Sequence, residues 1–300
     1  MSLPISLSDW QAQGESFDWK GHEIFTIQGG DWSDSTKPIL CLIHGFPTAS
    51  WDWAHQWATL AEHFRLCALD MIGFGLSEKP TGYPYTMMDQ ADLHEAWLTT
   101  LGVERYHILA HDYGDTVAQE LLARHIDREA SDDAGLRVLS AIFLNGGLFP
   151  ELHRARLSQK LLNSPIGGLV SRLMTRDRFG TGLNEVFGPD TQLNDEEIDA
   201  FWELANTNGS MTRIGHRLIK YIEDRKRYRE RWVGALQANA VPMRVIDGAL
   251  DPVSGIHMVE YYRKIVPDPD CVVLETVGHY PQLEAPEAVL KAVLDFHSDL

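Results

Sequence analysis

Short runs dense in Ile, Leu, Val, Phe and Cys recur along the chain, at Pro38 to His44, Leu66 to Asp70, Tyr106 to His111 and Leu139 to Leu144. Each has the length of a strand and little polar alternation, the pattern of strands buried on both faces. Between them apolar residues space out to a helical period, as in Met88 to Leu101. Strands alternating with helices pair in parallel through right-handed crossovers, and the helices cover both sheet faces. Ahead of this series, Ser16 to Trp19 and His22 to Gln28 flank Lys20-Gly21 and predict an opening hairpin.

After Asn145-Gly146-Gly147 the rhythm stops. Glu151 to Trp232 is helical in pattern, dense in charge, and broken at Ser164-Pro165, Gly180 and Gly188-Pro189. Strands resume at Val241 to Asp247 and Cys271 to Thr276, and a last helix runs from Pro286 to His297. The expectation is an α/β core of residues 1–146 and 237–300, with a mostly parallel, doubly wound sheet, interrupted by a helical cap over 147–236.

One strand ends in chemistry. Tyr106 to Gly114 reads Tyr-His-Ile-Leu-Ala-His-Asp-Tyr-Gly, with Ala110 two residues before Asp112 and Gly114 two after. A sharp strand-to-helix turn needs small residues in those places, so the frame reads as a nucleophile elbow with a carboxylate at its apex. Serine there would imply acyl transfer. A carboxylate that attacks saturated carbon bearing a leaving group gives an ester that water later cleaves, which points to epoxides or alkyl halides. The plainer alternative is that Asp112 caps a helix running through Thr116 to Arg124.

In doubly wound sheets function gathers at the carboxyl ends of strands. There His44-Gly45-Phe46-Pro47 places the Phe46 N–H, with that of Tyr113, to bind developing negative charge or orient the carboxylate; taken alone it is a tight turn. Asp251 lies just beyond the strand ending near Asp247, and His279 follows the last strand. Asp247 competes for the acid role, although its place nearer the strand suits a turn. The chain order nucleophile, acid, histidine is that of α/β-hydrolases.

His44 to Trp53, Ala110 to Gly114, Asp247 to Val253 and Gly278 to Pro281 closely resemble the haloalkane dehalogenase and epoxide hydrolase branch of the α/β-hydrolase superfamily. More narrowly, His111 to Asp115, Arg231 to Leu236 and His279 to Glu284 resemble the mesoderm-specific transcript subgroup. The resemblance implies the α/β-hydrolase fold, no cofactor, and two steps: Asp112 forms an alkyl ester, then His279, oriented by Asp251, activates water to hydrolyse it.

Dehalogenases of this kind place a Trp after the nucleophile and often an Asn after His-Gly. Here those places hold Tyr113 and Phe46, and Phe has no side-chain donor for a halide. Trp51, Trp53 or Trp202 substitutes only if the fold brings one inward. Epoxide hydrolases usually carry His-Gly-Phe-Pro and two cap tyrosines that protonate the alkoxide; Tyr221 and Tyr228 are the candidates, sharing a face if one helix runs through both. Epoxide hydrolysis therefore stands ahead of dehalogenation. A non-catalytic ligand-binding protein on a hydrolase scaffold is the alternative from another class.

Composition narrows the partners. With 43 acidic and 26 basic residues, the formal charge of −17 repels nucleic acid and anionic membranes. What remains is a small apolar electrophile and water, with monomer and homodimer both open. Arg225-Lys226-Arg227, Arg229 and Arg231 are interleaved with acids and read as a solvated helix face. Cys41, Cys67 and Cys271 sit in strand-like runs as buried thiols, and His107 and His111 share a strand rather than a helix, so no metal is implied. No stretch approaches the ~20 apolar residues of a membrane span, and Met1 to Trp10 lacks a leader pattern, leaving the cytoplasm as the default location.

Overall fold

In the computed structural model, which describes residues 4–300, the chain opens with α1 (Leu7–Gln13) and the hairpin β1 (Glu15–Trp19) and β2 (His22–Gly29). Lys20 and Gly21 form its turn at φ 54° and 80°, where glycine carries no steric penalty. Then follow β3 (Ile39–Ile43), α2 (Ala54–His63), β4 (Arg65–Leu69), α3 (Met87–Thr100), β5 (Arg105–His111), α4 (Tyr113–Ser131) and β6 (Arg137–Leu144).

Seven helices intervene before the next strand: α5 (Leu157–Leu162), α6 (Gly167–Arg172), α7 (Arg176–Asn184), α8 (Asp195–Asn206), α9 (Met211–Leu218), α10 (Tyr221–Arg227) and α11 (Arg229–Ala238). The chain closes with β7 (Met243–Gly248), α12 (Ile256–Ile265), β8 (Asp270–Leu274), α13 (Pro281–Glu284) and α14 (Pro286–Ser298).

The eight strands form one sheet in the order β1-β2-β4-β3-β5-β6-β7-β8. β1 with β2 and β2 with β4 are antiparallel; every later pairing is parallel. All five residues of β3 are buried, as helices on both faces require. The carboxyl ends of β3, β5, β6 and β7 therefore open on one edge, beneath the inserted helices.

Ser164-Pro165 and Gly188-Pro189 separate helices as expected, but Gly180 lies inside α7. A Cβ there would meet Ile198 Cγ2 of α8 at 2.7 Å, so this glycine lets two helices approach rather than breaking one. Two carboxylates seat the inserted helices on the core. Glu120 of α4, buried, accepts from Arg231 Nε and Trp232 Nε1, each at 2.8 Å. Glu284 accepts from the N–H groups of Gly188 (2.8 Å), Gly278 (2.8 Å) and Tyr280 (2.9 Å) and from the Thr191 hydroxyl (2.6 Å).

At the end of β7, a Cβ on Gly248 would lie 1.9 Å from the Gly278 carbonyl oxygen and 2.8 Å from that of Val277. Both oxygens are backbone and cannot rotate away as a side chain would, so Gly248→Ala is expected to destabilise the protein by about 1–3 kcal/mol through overpacking. Urea unfolding measures this; an unchanged midpoint would show that the end of β7 and the loop after β8 move apart freely.

Candidate active site

Asp112 joins β5 to α4 at φ 46° and ψ −101°. Such a conformation costs an L-residue on the order of 1–3 kcal/mol and persists only where its surroundings impose it. Here they do. A Cβ on Gly114 would lie 2.5 Å from the Ile43 carbonyl oxygen and 2.7 Å from that of His44, so the helix start and the β3 end touch backbone to backbone. The Asp112 side chain makes no capping bond to α4; its Oδ2 instead accepts the Phe46 N–H at 3.2 Å. The Tyr113 N–H begins α4, where an N–H has no carbonyl within the helix to bind.

His279 donates through Nδ1 to Asp251 Oδ2 at 2.7 Å, and its Nε2 stands 4.0 Å from Asp112 Oδ2. That last gap is too long for a hydrogen bond and suits a bridging water. The loop carrying His279 is itself pinned: His111 Nε2 donates to the His279 carbonyl at 2.8 Å, and the His279 N–H donates to the Val186 carbonyl at 2.8 Å. Burial and the neighbouring His279 charge lower the His111 pKa to about 3, so its ring stays neutral.

Of the two downstream aspartates, Asp251 and not Asp247 is bonded to His279. Asp251 also accepts from the Val253 N–H (2.7 Å), the Ser254 N–H (3.1 Å) and hydroxyl (2.8 Å), and Asn145 Nδ2 (3.1 Å). Burial would raise its pKa, yet His279 and these donors bring it down to about 2. Asp247 has a buried oxygen without a partner, and burial together with the Asp251 charge pushes it up to about 9. One carboxylate is kept charged against the imidazole; the other keeps its proton.

Arg225 of α10 is the residue sequence reasoning misplaced. Instead of lying on a solvated face, it is 2 % exposed. Nε donates to Thr116 Oγ1 at 2.7 Å, Nη2 donates to the Asp112 carbonyl at 3.0 Å, and Nη2 lies 3.6 Å from Asp112 Oδ1. Its guanidinium also stacks over Tyr221, 4.5 Å from the ring centroid. The rest of the run divides: Lys226 and Arg227 are exposed, Arg229 pairs with Glu151 at 2.6 Å, and Arg231 pairs with Glu120 and Asp127 at 2.8 Å each. The available signal was spacing, since Arg225 follows the aromatic Tyr221 by one helical turn.

Burial acts to raise the Asp112 pKa, but the charges of His279 and Arg225, with the Phe46 N–H, hold it below the usual carboxylate range. Asp115, three residues on, goes the other way. Neither of its buried oxygens has a partner, and burial plus the Asp112 charge push its pKa well up.

Asp112 and His279 face a cavity of about 170 Å³ between core and cap, walled mainly by Phe46, Met174, Leu183, Val186, Trp202 and Tyr280. At roughly 10–15 Å³ per water-sized site, this admits a ligand on the order of ten heavy atoms. Of the four side chains expected to touch substrate, Trp202 is in this wall. Trp51 is not; its indole donates to the Ile5 carbonyl at 3.1 Å and its ring packs on Phe201. Tyr228 is not either, because the helix is interrupted at that residue (φ −104°, ψ 17°) and its ring turns to Trp232, 5.2 Å away. Tyr221 and Tyr228 therefore do not share a face. Tyr221 is not in the wall either: it packs behind Phe46, 5.1 Å from the Tyr113 ring and 6.0 Å from that of Phe46, and its hydroxyl has no hydrogen bond among the described residues. Tyr280, not anticipated, lines the cavity and donates to the Phe46 carbonyl at 3.2 Å.

A family model described as the alpha/beta hydrolase fold matches residues 38–286. The chain belongs to the α/β-hydrolase fold family. Among its relatives, the human mesoderm-specific transcript homolog protein is 40% identical, over 98% of this chain and 88% of the relative. A putative hydrolase, LipZ, from Mycobacterium tuberculosis is 34% identical over 98% and 99% of the two chains. The crystal structure of a haloalkane dehalogenase loop variant from Bradyrhizobium elkanii superposes with a TM-score of 0.78 at 21% identity, covering 95% of this chain and 96% of the other. That likeness is one of fold.

The raised Asp247 pKa of this hydrolase carries a stability consequence. In the unfolded chain an aspartate ionises near pH 3.9, whereas in the folded protein Asp247 holds its proton up to about pH 9. The folded state is therefore penalised increasingly as pH rises through that window. Asp247→Asn should gain stability over the parent, and gain more near pH 8 than near pH 5. Paired thermal melts at the two pH values decide it; a difference independent of pH would sink the assignment.

Proposed function

We propose that this hydrolase acts through a covalent ester on Asp112 and that its substrates are small apolar epoxides. The observation that carries the reading is an ionised, buried carboxylate at a strained elbow with an imidazole 4.0 Å away, itself held by Asp251. In the first step an Asp112 oxygen attacks a ring carbon, a carbon–oxygen ester bond forms, and the ring carbon–oxygen bond breaks. The departing alkoxide takes the phenolic proton of Tyr221. Burial and the Asp112 charge raise the Tyr221 pKa, so that phenol is protonated when the ring opens.

The second step needs His279 as a base. Burial would lower its pKa, but the charges of Asp251 and Asp112 lift it to about 9 in the resting protein. Esterification removes the Asp112 charge, so the imidazole loses affinity for its proton as it becomes needed, and that proton, relayed through water, restores the Tyr221 phenol. Nε2 then takes a proton from water, the hydroxide adds to the ester carbonyl, and the N–H groups of Phe46 and Tyr113 face the oxyanion. Collapse breaks the acyl carbon–oxygen bond, the remaining water proton passes to the departing alkoxide, and the Asp112 carboxylate and a vicinal diol result.

A second reading has its own support. Trp202 lines the cavity, and its indole N–H has no hydrogen bond among the described residues, leaving a donor for a departing halide.

The test is the His279→Gln protein incubated with matched panels of epoxides and alkyl halides, followed by mass spectrometry of the peptide carrying Asp112. An adduct is expected from the epoxide panel, and none after Asp112→Asn. An adduct from halides alone would transfer the assignment to dehalogenation, and no adduct from either, with the protein folded, would favour a non-catalytic binding role. Independently, Tyr221→Phe should slow epoxide turnover on the order of a hundredfold while sparing any halide turnover. Equal loss on both would mean that Tyr221 only shapes the site.

A further inference from the structure

We infer that the outer face of the cap docks on an anionic lipid surface. Eight large hydrophobic residues are conspicuously exposed among the described residues, and five of them, Leu157, Leu161, Ile166, Leu169 and Leu173, fall on or beside α5 and α6. Leu157 is 71 % exposed, Leu169 61 % and Leu173 55 %. Leu157 and Leu161 are one helical turn apart, as are Leu169 and Leu173, so each pair shares a face. Scattered surface leucines are ordinary in a globular protein; a cluster on two adjacent helices marks a contact surface.

The charge around this face has the opposite sign to the protein as a whole. The net charge of −17 predicts repulsion from anionic membranes, yet residues 154 to 178 hold six basic side chains and one acidic one. Beside α6, the helix α9 adds Arg213 and Arg217, which with Arg172, His216, Thr81 and Thr212 wall a surface cleft of about 560 Å³. Arg172, Arg213 and Arg217 form no ion pair among the described residues, whereas Arg176, Arg229 and Arg231 nearby in sequence all do. Three unpaired guanidinium groups in one cleft are suited to phosphate, which they bind through paired N–H donors.

An apolar ridge next to a basic cleft matches a phospholipid layer, which offers acyl depth and anionic headgroups together. A symmetric contact with a second copy would set the same basic groups against each other. No helix among the described residues is long and apolar enough to cross a membrane, so the mode is surface docking. The opposite side of α5 and α6 supplies Leu162, Val170 and Ser171 to the cavity. A lipophilic substrate in the layer would thus lie about one helix diameter, ~10 Å, from the site. That substrate source rests on the hydrolase reading; the docking does not.

The experiment is flotation of the full chain with vesicles of phosphatidylcholine alone and of an equal mixture of phosphatidylcholine and phosphatidylglycerol, at low and high salt. Binding is expected to the mixed vesicles, weakened by salt. The double variants Leu169→Asp with Leu173→Asp, and Arg213→Gln with Arg217→Gln, should each lower the affinity at least about tenfold while keeping the parent melting profile. Failure to float with either vesicle, or variants that bind as well as the parent, would overturn the inference. So would a dimer, seen by light scattering, that the leucine variant dissociates, since the face would then belong to a second copy. Turnover of a water-soluble substrate should be unaltered in both variants, which separates failure of docking from failure of the chemistry.

Discussion

A carboxylate enclosed by apolar walls takes up a proton unless something holds it charged, and the nucleophilic role proposed for Asp112 requires the charged form. The surroundings of Asp112 oppose that protonation. Arg225 reaches down from the cap, His279 approaches from the loop after β8, and the Phe46 N–H closes from the loop after β3. Three segments distant in sequence thus meet on one side chain, at the sheet edge where the strands end. The positive end of α4 adds to the same field.

The neighbouring acids show how finely this field is divided. Asp112 and Asp251 are ionised, while Asp115 and Asp247, equally buried, keep their protons. The distinction lies in nearby positive charge and donors rather than depth. Asp251 has five and Asp115 has none. Charge is confined to the two carboxylates that bracket the imidazole, which removes the like-charge repulsion that four ionised groups would bring to one pocket.

The fold was legible where a single segment decides its own state. β3 and β5 are apolar runs of strand length, and the elbow declares itself through Gly114, whose missing side chain permits backbone contact. Other features depended on what a segment meets. Arg225 is one basic residue within a basic run, and only its bonds to Thr116 and the Asp112 carbonyl, far off in sequence, mark it as turned inward. Trp51 is spent on the carbonyl of Ile5, from a segment with no sequence link to it. Tyr228 leaves the expected face because the chain changes direction at that residue. Gly180 could be read as a break or a close approach, and only Ile198 decides for the latter.

Glu284 has a mechanical meaning beyond its hydrogen bonds. Its two oxygens tie Gly188 and Thr191, at the far side of the cap, to Gly278 and Tyr280, which flank His279. A hinged swing of that side of the cap would have to break these bonds or carry the His279 loop with it, so at that end the cap and the loop form one mechanical piece.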